Sequence, residues 1–303
     1  MEMNDMLKGA IYGALIGDAV GVPYEFKAPH NIPPYDQIDM IPPGGYKRSW
    51  SKIPIGTYSD DGAQVLCLLE HLTTRETFDA TIFHTTLCDW YHHGYMACEW
   101  LMFDAGNQTI AALTSMSPQL LNEERFNGNG SLMRAIPVAL TCKTPHDVCS
   151  VAFQQSCATH PHIRSRLCCA WYCLIGYYLL EGQSFISSVI ASMAFLNKWI
   201  VDTDTRNEWL YISNYGENQL TGSGYVVDSL LSALNAVGDG TSYEDTIKLA
   251  ITYGNDTDTT ACIAGGLAGI IYGYGGIPQN WIDVLRDKEH IDSVIAPLLN
   301  VAT

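Results

Sequence analysis

The sequence predicts an all-α fold in one domain, and three observations support this prediction. Apolar residues recur at helical spacing in several long segments, no series of alternating residues predicts a sheet, and no composition change marks a domain boundary. Hydrophobic residues make up 47% of the chain and charged residues 16%, so the chain can bury enough apolar surface to offset the entropy lost on folding. We therefore expect a single folded domain over residues 1–303.

Apolar residues at positions i, i+3, i+4 and i+7 share one helix face and place the predicted helices. Three such faces follow one another along the chain, in Val65–Leu72, Ile186–Met193 and Val226–Leu234. The run Cys168–Leu180 is apolar nearly all round, which predicts a central buried helix. The segment Pro29–Pro54 holds six of the 13 prolines and predicts a long loop after the first helix.

Two predicted helices carry glycine at a spacing that favours close contact between them. Glycine repeats every fourth residue over Gly9–Gly17, and the run 261–269 is rich in glycine and alanine. Each helical glycine costs about 1 kcal/mol relative to alanine, which is acceptable where another backbone must come close. We expect the two helices to pack together and bring Asp18 and Glu25 near Asp256. Asp18 opposes the helix dipole at its position, so a buried partner or a metal-linked network is expected there.

Charge and cysteine content exclude several classes of protein. The net charge of −16, from 32 acidic and 16 basic residues, disfavours nucleic-acid binding because the phosphate backbone would be repelled. The ten cysteines form no CxxC pair and no zinc-type spacing, and we expect them to be reduced. No apolar run reaches the roughly 20 residues that span a bilayer. We therefore expect a soluble, cytoplasmic protein without membrane attachment.

Two acidic clusters stand at predicted helix starts. Ser59, Asp60 and Asp61 precede one apolar face, and the segment Asp256–Thr259 precedes the glycine-rich run. Plain helix capping is the simpler interpretation of either cluster alone, but a cap uses a single side-chain oxygen and both clusters carry more. Four carboxylates held close together are tolerable when cations lie among them, and this oxygen supply fits two Mg²⁺ ions.

Several other residues have both a structural and a functional interpretation. Glu25 could be a surface acid, and Asp104 could be an ordinary helix cap. The turn Asn127–Ser131 could bind phosphate through backbone amides at the start of a helix, although such turns are common. Arg134 could face a phosphate or pair with an acid, and a single histidine such as His160 is more often structural than catalytic.

Six motifs occur in one order along the chain: GDAVGVPYEF, YSDDGAQ, DAGNQT, NGNGSLMR, THPH and GNDTDTTACIAGG. Together, from Gly9 to about Pro297, they resemble the ADP-ribosylglycohydrolase family, which includes the dinitrogenase-reductase activating glycohydrolases. The resemblance implies a compact, orthogonal bundle of helices with two Mg²⁺ or Mn²⁺ ions in a cleft. It also implies removal of ADP-ribose from a modified protein side chain, most often arginine.

The resemblance also assigns roles to residues of this chain. It implies metal ligation by Ser59, Asp60, Asp61, Asp256, Asp258 and Thr259. It implies proton transfer by Glu25 and Asp104. It implies substrate contacts by Asn127, Gly128, Asn129, Gly130, Ser131 and His160. The family's common T-D-D-T motif reads S-D-D-G here, so Gly62 lacks the hydroxyl of the usual threonine.

The expected function is therefore reversal of mono-ADP-ribosylation, with an ADP-ribosylated protein and ADP-ribose as partners. An alternative is an immunity or regulatory protein that acts mainly by binding an ADP-ribosylating toxin or transferase. A structural role like that of lens crystallins is a third option, against which the intact acidic clusters argue. The residues do not distinguish arginine from serine linkage, or Mg²⁺ from Mn²⁺.

Overall fold

The computed structural model describes residues 1–114, 121–216 and 220–301 of the chain. Within these ranges it shows fourteen α-helices and no β-strand, which confirms the all-α prediction. The helices are α1 (Met3–Gly21), α2 (Asp60–Thr73), α3 (Ala80–His93), α4 (Asn107–Thr114), α5 (Ile136–Thr141), α6 (Pro145–Cys157), α7 (Ile163–Leu180), α8 (Phe185–Trp199), α9 (Thr203–Ser213), α10 (Val226–Asp239), α11 (Tyr243–Thr252), α12 (Thr257–Tyr272), α13 (Gln279–Val284) and α14 (Lys288–Val301).

Helices α1 and α12 pack with their backbones in direct contact, as the glycine spacing predicts. A Cβ atom on Gly13 would lie 2.3 Å from the carbonyl oxygen of Gly265, so any side chain there would push the helices apart. The hydroxyl of Thr257 at the start of α12 donates to the carbonyl of Gly21 at the end of α1, at 2.9 Å. The C-terminus of α1 and the N-terminus of α12 therefore meet at one point of the fold.

Helix α7 is buried along most of its length, as the sequence predicts. The Tyr172 hydroxyl donates to the Ile263 carbonyl at 3.0 Å and ties α7 to α12. At its N-terminal end, Arg164 pairs with Glu208 of α9 at 2.7 Å. This helix joins the α1–α12 pair to the helices α8 and α9 on the outside.

The apolar face predicted for α8 is wrong in part. Ile186 is 70% exposed and Ile190 63%, whereas the buried side of the helix carries Ser188, Ser192 and Leu196. The Trp171 indole of α7 donates to the Ser192 hydroxyl at 3.0 Å. Small hydroxyl side chains let α8 come close to α7 and accept this hydrogen bond, so packing overrides the local hydrophobic pattern.

The proline-rich segment between α1 and α2 contains only short 3₁₀ turns, which confirms the predicted loop. It is held to the core by buried aromatic residues. The Tyr24 hydroxyl donates to the Asp39 carbonyl at 2.7 Å, and the Trp281 indole of α13 donates to the Asp39 carboxylate at 2.8 Å. These contacts hold the segment in place, and the same segment places Trp50 beside the acidic residues.

None of the helices formed by the described residues combines the length and the apolar character needed to cross a membrane. All ten cysteines are free thiols. Those predicted to lie in the core, Cys67, Cys168, Cys169, Cys173 and Cys262, are buried.

Candidate active site

The N-terminus of α2 is capped by a side chain of another helix. The Asp18 carboxylate of α1 accepts hydrogen bonds from the backbone amides of Ser59, at 2.9 Å, and Gly62, at 2.8 Å. Burial raises the pKa of this carboxyl to about 7, against the lowering effect of these hydrogen bonds. Asp18 therefore caps α2 at the positive end of its dipole. This interaction explains why an acid lies near the C-terminus of α1, where it opposes the dipole of α1 itself.

Glycine at position 62 is required by local packing. A Cβ atom on Gly62 would lie 2.8 Å from the Cβ atom of Tyr58 and 2.8 Å from its ring. Tyr58 is fully buried and its hydroxyl donates to the Met96 carbonyl at 3.2 Å, so the ring has little room to move. The glycine that stands here in place of the family's usual threonine is therefore explained by Tyr58, four residues earlier.

The first acidic cluster lies in the first turn of α2. The Ser59 hydroxyl accepts a hydrogen bond from the Asp61 amide at 3.2 Å and caps the helix. Asp60 and Asp61 are both buried, and Asp61 Oδ1 has no hydrogen-bond partner among the described residues. Burial, and then the charge of a neighbouring carboxylate, raises the pKa of both side chains well above the usual range. Neither carboxylate forms a salt bridge with a residue in the described parts of the chain, so these two buried acids have no paired side-chain cation there.

The second acidic cluster is fixed against the end of α1 by paired backbone hydrogen bonds. The Phe26 amide donates to the Asn255 carbonyl at 2.6 Å, and the Asn255 amide donates to the Lys27 carbonyl at 2.6 Å. Phe26 and Asn255 have left-handed φ angles of 59° and 58°, which residues other than glycine rarely adopt. These two hydrogen bonds hold two segments of backbone side by side. Glu25 precedes Phe26 on one segment, and Asp256 follows Asn255 on the other.

Three carboxylates from distant parts of the chain meet beside these two hydrogen bonds. One oxygen from each of Glu25, Asp104 and Asp258 lies within 4.8 Å of the other two. Burial, followed by the charge of Asp104, raises the pKa of Glu25 to about 9. Burial and then the charge of Glu25 raise the pKa of Asp258 well above its usual range. The group must hold protons or bind cations at neutral pH.

Side-chain contacts join the two acidic clusters and the glycine-rich loop. Asp256 does not cap α12 with its side chain; it accepts a hydrogen bond from the Asn129 amide group at 2.8 Å. The helices α2 and α12 are in contact, and Asp61 and Thr259 of their first turns line the same cavity. The backbone amide of Asn129 donates to the Gly224 carbonyl at 3.1 Å. The two helix starts and the loop therefore form one connected unit.

Two of the five backbone amides in the glycine-rich loop Asn127–Ser131, those of Gly128 and Asn129, donate hydrogen bonds within the protein. The Gly128 amide donates to the Gln108 side chain at 3.3 Å. The Gly130 amide donates to no acceptor in the described parts of the chain, and Gly130 lines a cavity. This amide is the one in the loop best placed to receive an anion.

Arg134 forms no salt bridge with an acid in the described ranges of the chain, and it is not among the residues that line this cavity, which differs from both expectations drawn from the sequence. It lies in turns before α5 and is fully buried. Its guanidinium donates to Gln64 of α2 at 2.8 Å, to the Gly130 carbonyl at 3.2 Å, and to Gln155 at 2.9 Å. Burial lowers its pKa to about 10, so the group stays charged at neutral pH. Arg134 fixes the loop to α2 and α6.

His160 is buried against this network. It is 2% exposed, and its Nδ1 atom is 2.8 Å from the Thr159 hydroxyl. Burial, and then the charge of Arg134, lowers the pKa of the imidazole to about 3. His160 is therefore neutral, and it offers the cavity a hydrogen-bonding ring without a charge.

These elements enclose one cavity of about 510 Å³. Most of the residues singled out from the sequence line it. They are Glu25, Asp60, Asp61, Asp104, Gly128, Asn129, Gly130, His160, Asp256 and Thr259.

Four of the predicted residues are not on the cavity wall. Asp258 lies beside it, in contact with the Glu25 group. Ser59 is turned to the helix cap, and the hydroxyl of Ser131 bonds the Ser156 hydroxyl at 2.8 Å. The Asn127 side chain accepts from Ser165 at 3.0 Å. Direct substrate contact therefore remains a prediction for the loop's middle residues, and the structure turns its two end residues inward.

Comparison with known proteins assigns this arrangement to a family. Residues 2–303 match the family model of the ADP-ribosylglycohydrolases. The chain belongs to this family. It is an enzyme of the ADP-ribosylglycohydrolase type, as the motifs predict.

Relatives of this glycohydrolase match it over nearly its whole length. The ADP-ribosylarginine hydrolase Tri1 of Serratia proteamaculans (strain 568) is 30% identical, over 99% of this chain and 81% of that protein. The ADP-ribosyl-[dinitrogen reductase] glycohydrolase of Rhodospirillum rubrum is 25% identical, over 95% and 92%. A solved structure described as an ADP-ribosylglycohydrolase-related protein complex has a TM-score of 0.77 and 26% identity, covering 100% of this chain and 99% of that one.

The metal centre implied by the family fits the donors present in this glycohydrolase. The converging groups are carboxylates and a threonine hydroxyl, which are the oxygen ligands that Mg²⁺ and Mn²⁺ take. Asp61 supplies a buried oxygen that has no hydrogen-bond partner among the described residues, and such an orphaned acceptor is expected where a ligand bond replaces a hydrogen bond. Burial, and then the charges of neighbouring carboxylates, raise the pKa values of Asp60 and Asp258, and a cation bound among these groups would offset both effects.

Sequence reasoning missed three residues that shape the site of this glycohydrolase. The Trp50 indole donates to Glu25 Oε2 at 2.5 Å, yet its position in a proline-rich loop carried no signal. Gln108 holds the glycine loop and lies within the DAGNQT motif, which was considered only for its aspartate. Phe26 lines the cavity beside Glu25. For Trp50 and Phe26, only the folded backbone shows the connection.

Proposed function

We propose that this chain hydrolyses the N-glycosidic bond between ADP-ribose and arginine on a modified protein. The observation that carries the proposal is the meeting of the Glu25, Asp104 and Asp258 carboxylates at a cavity that the glycine loop also lines. The identity of 30% to an ADP-ribosylarginine hydrolase supports arginine as the linkage.

The proton-handling pair in this proposal is Glu25 and Asp104. Glu25 holds a proton because its pKa is raised, and the Trp50 indole occupies Oε2, which leaves Oε1 to carry it. As the bond from ribose C1″ to the guanidine nitrogen breaks, Glu25 gives its proton to that nitrogen. A water oxygen bonds to C1″ and gives a proton to Asp104. The products are ADP-ribose and arginine, and the surrounding carboxylates stabilise the positive charge that develops on the ribose.

The proposal includes a metal centre with two Mg²⁺ ions, or Mn²⁺ in their place. The residues that would hold them are Ser59, Asp60, Asp61, Asp256, Asp258 and Thr259. When bound, the ions would neutralise the buried carboxylates and polarise ribose and water oxygens. Ser59 would have to exchange the hydrogen bonds that it now makes with Asp61.

The test is release of free ADP-ribose by the purified protein with Mg²⁺ from arginine-modified protein and from serine-modified peptide. We expect release from arginine, and its loss in Asp60→Ala and Asp258→Ala. The matched control is Asp239→Ala, which removes an exposed acid at the end of α10. Release from the serine peptide alone would refute the arginine assignment, and unchanged release in EDTA would refute the metal centre.

The Asp60→Ala variant also distinguishes hydrolysis from the alternative role as a binding or immunity protein. If Asp60→Ala protects cells from an ADP-ribosyltransferase as well as the native chain does, protection comes from binding. If protection is lost together with hydrolysis, catalysis carries it. The acidic surface expected from a net charge of −16 is common in proteins and favours neither outcome.

A further inference from the structure

Phe26 is an exposed aromatic side chain at the wall of the acidic cavity. Its side chain is 68% exposed, although it directly follows the buried Glu25. Its backbone is left-handed, with φ 59°, and two hydrogen bonds hold it in this conformation, from the Phe26 amide to the Asn255 carbonyl and from the Asn255 amide to the Lys27 carbonyl. Such backbone strain persists only where surrounding contacts enforce it, and it clusters at functional sites. The fold thus presents a large ring to solvent at the entrance of the cavity.

Two further aromatic rings form a row with Phe26. The ring centre of Phe26 is 6.1 Å from that of Trp50, and Trp50 meets Phe103 edge-on at 5.4 Å. The Trp50 indole is also hydrogen-bonded to Glu25. These three rings, Phe26, Trp50 and Phe103, form what we call the aromatic wall. The wall spans the distance between the segments that carry Glu25 and Asp104.

The wall and the carboxylates together favour one kind of ligand group. An aromatic face attracts cations through its quadrupole, and the attraction grows where water is partly excluded. Glu25, Asp104 and Asp256 line the same cavity as Phe26 and add negative potential. A guanidinium suits this environment best, because it is planar, weakly hydrated and stacks on aromatic rings. A hydroxyl leaving group such as serine would gain nothing from it.

We propose that Phe26, supported by Trp50, binds the guanidinium of the arginine that leaves and so determines specificity for the arginine linkage. This inference rests on the proposed function for the identity of its substrate. It adds a subsite for the protein side of the bond, whereas the acidic clusters and the glycine loop serve the ADP-ribose side.

The test measures binding of agmatine, a free guanidinium compound, to the protein with ADP-ribose and Mg²⁺ present. Its isostere 4-aminobutylurea, which keeps the terminal ammonium group and carries a neutral urea in place of the guanidinium, is the comparison ligand, and calorimetry is the readout. A cation–π contact of about 0.5–2 kcal/mol corresponds to a loss of roughly 2–30-fold in agmatine affinity for Phe26→Leu. Phe26→Tyr should restore agmatine affinity to within about twofold, since the ring face is kept. Affinity for 4-aminobutylurea should change less than affinity for agmatine.

Trp100→Leu is the matched control, because Trp100 is also exposed, at 69%, and left-handed, with φ 64°, but does not line the cavity. It should leave agmatine affinity unchanged. Absence of agmatine binding to the native protein would overturn the inference, as would equal losses for agmatine and 4-aminobutylurea in Phe26→Leu. Failure of the proposed function would appear differently, as absence of ADP-ribose release from arginine-modified protein. The binding experiment does not depend on that result, because agmatine binding needs no turnover.

Discussion

Replacing Asp61 by asparagine should stabilise the protein in EDTA and remove its response to Mg²⁺. The Asp61 side chain is 2% exposed and its Oδ1 atom accepts no hydrogen bond from the described residues. Burial and the adjacent charge of Asp60 raise its pKa well above the usual range, which shows that the protein environment opposes its charge. Asparagine keeps the shape of the side chain and removes that charge.

The magnitude follows from the difference between a charged and a neutral acceptor that are both buried without a partner. A neutral acceptor of this kind costs about 1–3 kcal/mol and a charged one more, so we expect removal of the charge to gain an amount of the same size. For a domain of this size, 1 kcal/mol changes the unfolding temperature by about 2 °C, so Asp61→Asn should raise it by about 2–6 °C in EDTA. Mg²⁺ at 100 times its Kd would stabilise the native protein by about 2.7 kcal/mol, and the variant should lose most of that gain.

The assay is thermal unfolding followed by circular dichroism, in EDTA and in Mg²⁺. Asp239→Asn, at an exposed site, is the control and should behave like the native protein in both conditions. An unfolding temperature of Asp61→Asn below that of the native protein in EDTA would contradict the argument from desolvation. A Mg²⁺ gain equal to the native one would show that Asp61 is not a ligand.

Three other outcomes are expected. Gly13→Ala should destabilise the protein in urea by about 1–3 kcal/mol, since overpacking of α1 against α12 exceeds the roughly 1 kcal/mol gain in helix propensity. Gly238→Ala, whose Cβ would meet only the Phe185 ring at 3.4 Å, should be neutral or stabilising. Arg134→Lys should cost at least about 2 kcal/mol in the same assay, because lysine has three donors for the five buried acceptor atoms that the guanidinium serves and leaves at least two of them unpaired. In EDTA, the free energy of unfolding should fall as pH rises from about 4.5 towards 9: the raised Glu25 pKa means that the folded state binds the extra proton over this interval. Saturating Mg²⁺ should flatten this profile, and a stability that rises with pH in EDTA would contradict the assignment.

Most helices were predictable because the apolar face of a helix follows from the spacing of apolar residues that are close together in the sequence. The apolar faces of Val65–Leu72 and Val226–Leu234 belong to helices that bury them, and the run Cys168–Leu180 is central as expected. Helix α8 is the exception. Its exposed Ile186 shows that a hydrophobic pattern identifies a helix but does not determine which side packs, when a partner such as Trp171 selects small hydroxyl residues.

The site was predictable where several residues stand together in one motif. The acids at 60–61 and 256–258 were identifiable from their excess of oxygens over what a cap needs, and the glycine spacing gave a reason for them to meet. The hydrogen-bond partners of Arg134 were not predictable. Either an acid or a phosphate would suit a buried guanidinium, but the fold supplies neutral side-chain amides instead. The contact between Trp50 and Glu25 joins two loop residues 25 positions apart, which no local pattern encodes.

The sequence by itself determined the helical class, the close approach of α1 and α12, and the chemistry of the residues in the motifs. These follow from periodicity, from glycine, and from the number of carboxylates, all of which are local properties. Only the tertiary structure decided that Glu25, Asp104 and Asp258 share one group, that Asp18 caps α2, and which loop residues line the cavity. The physical reason is that these contacts depend on how helices cross and on strained backbone at Phe26 and Asn255, which long-range packing alone can hold.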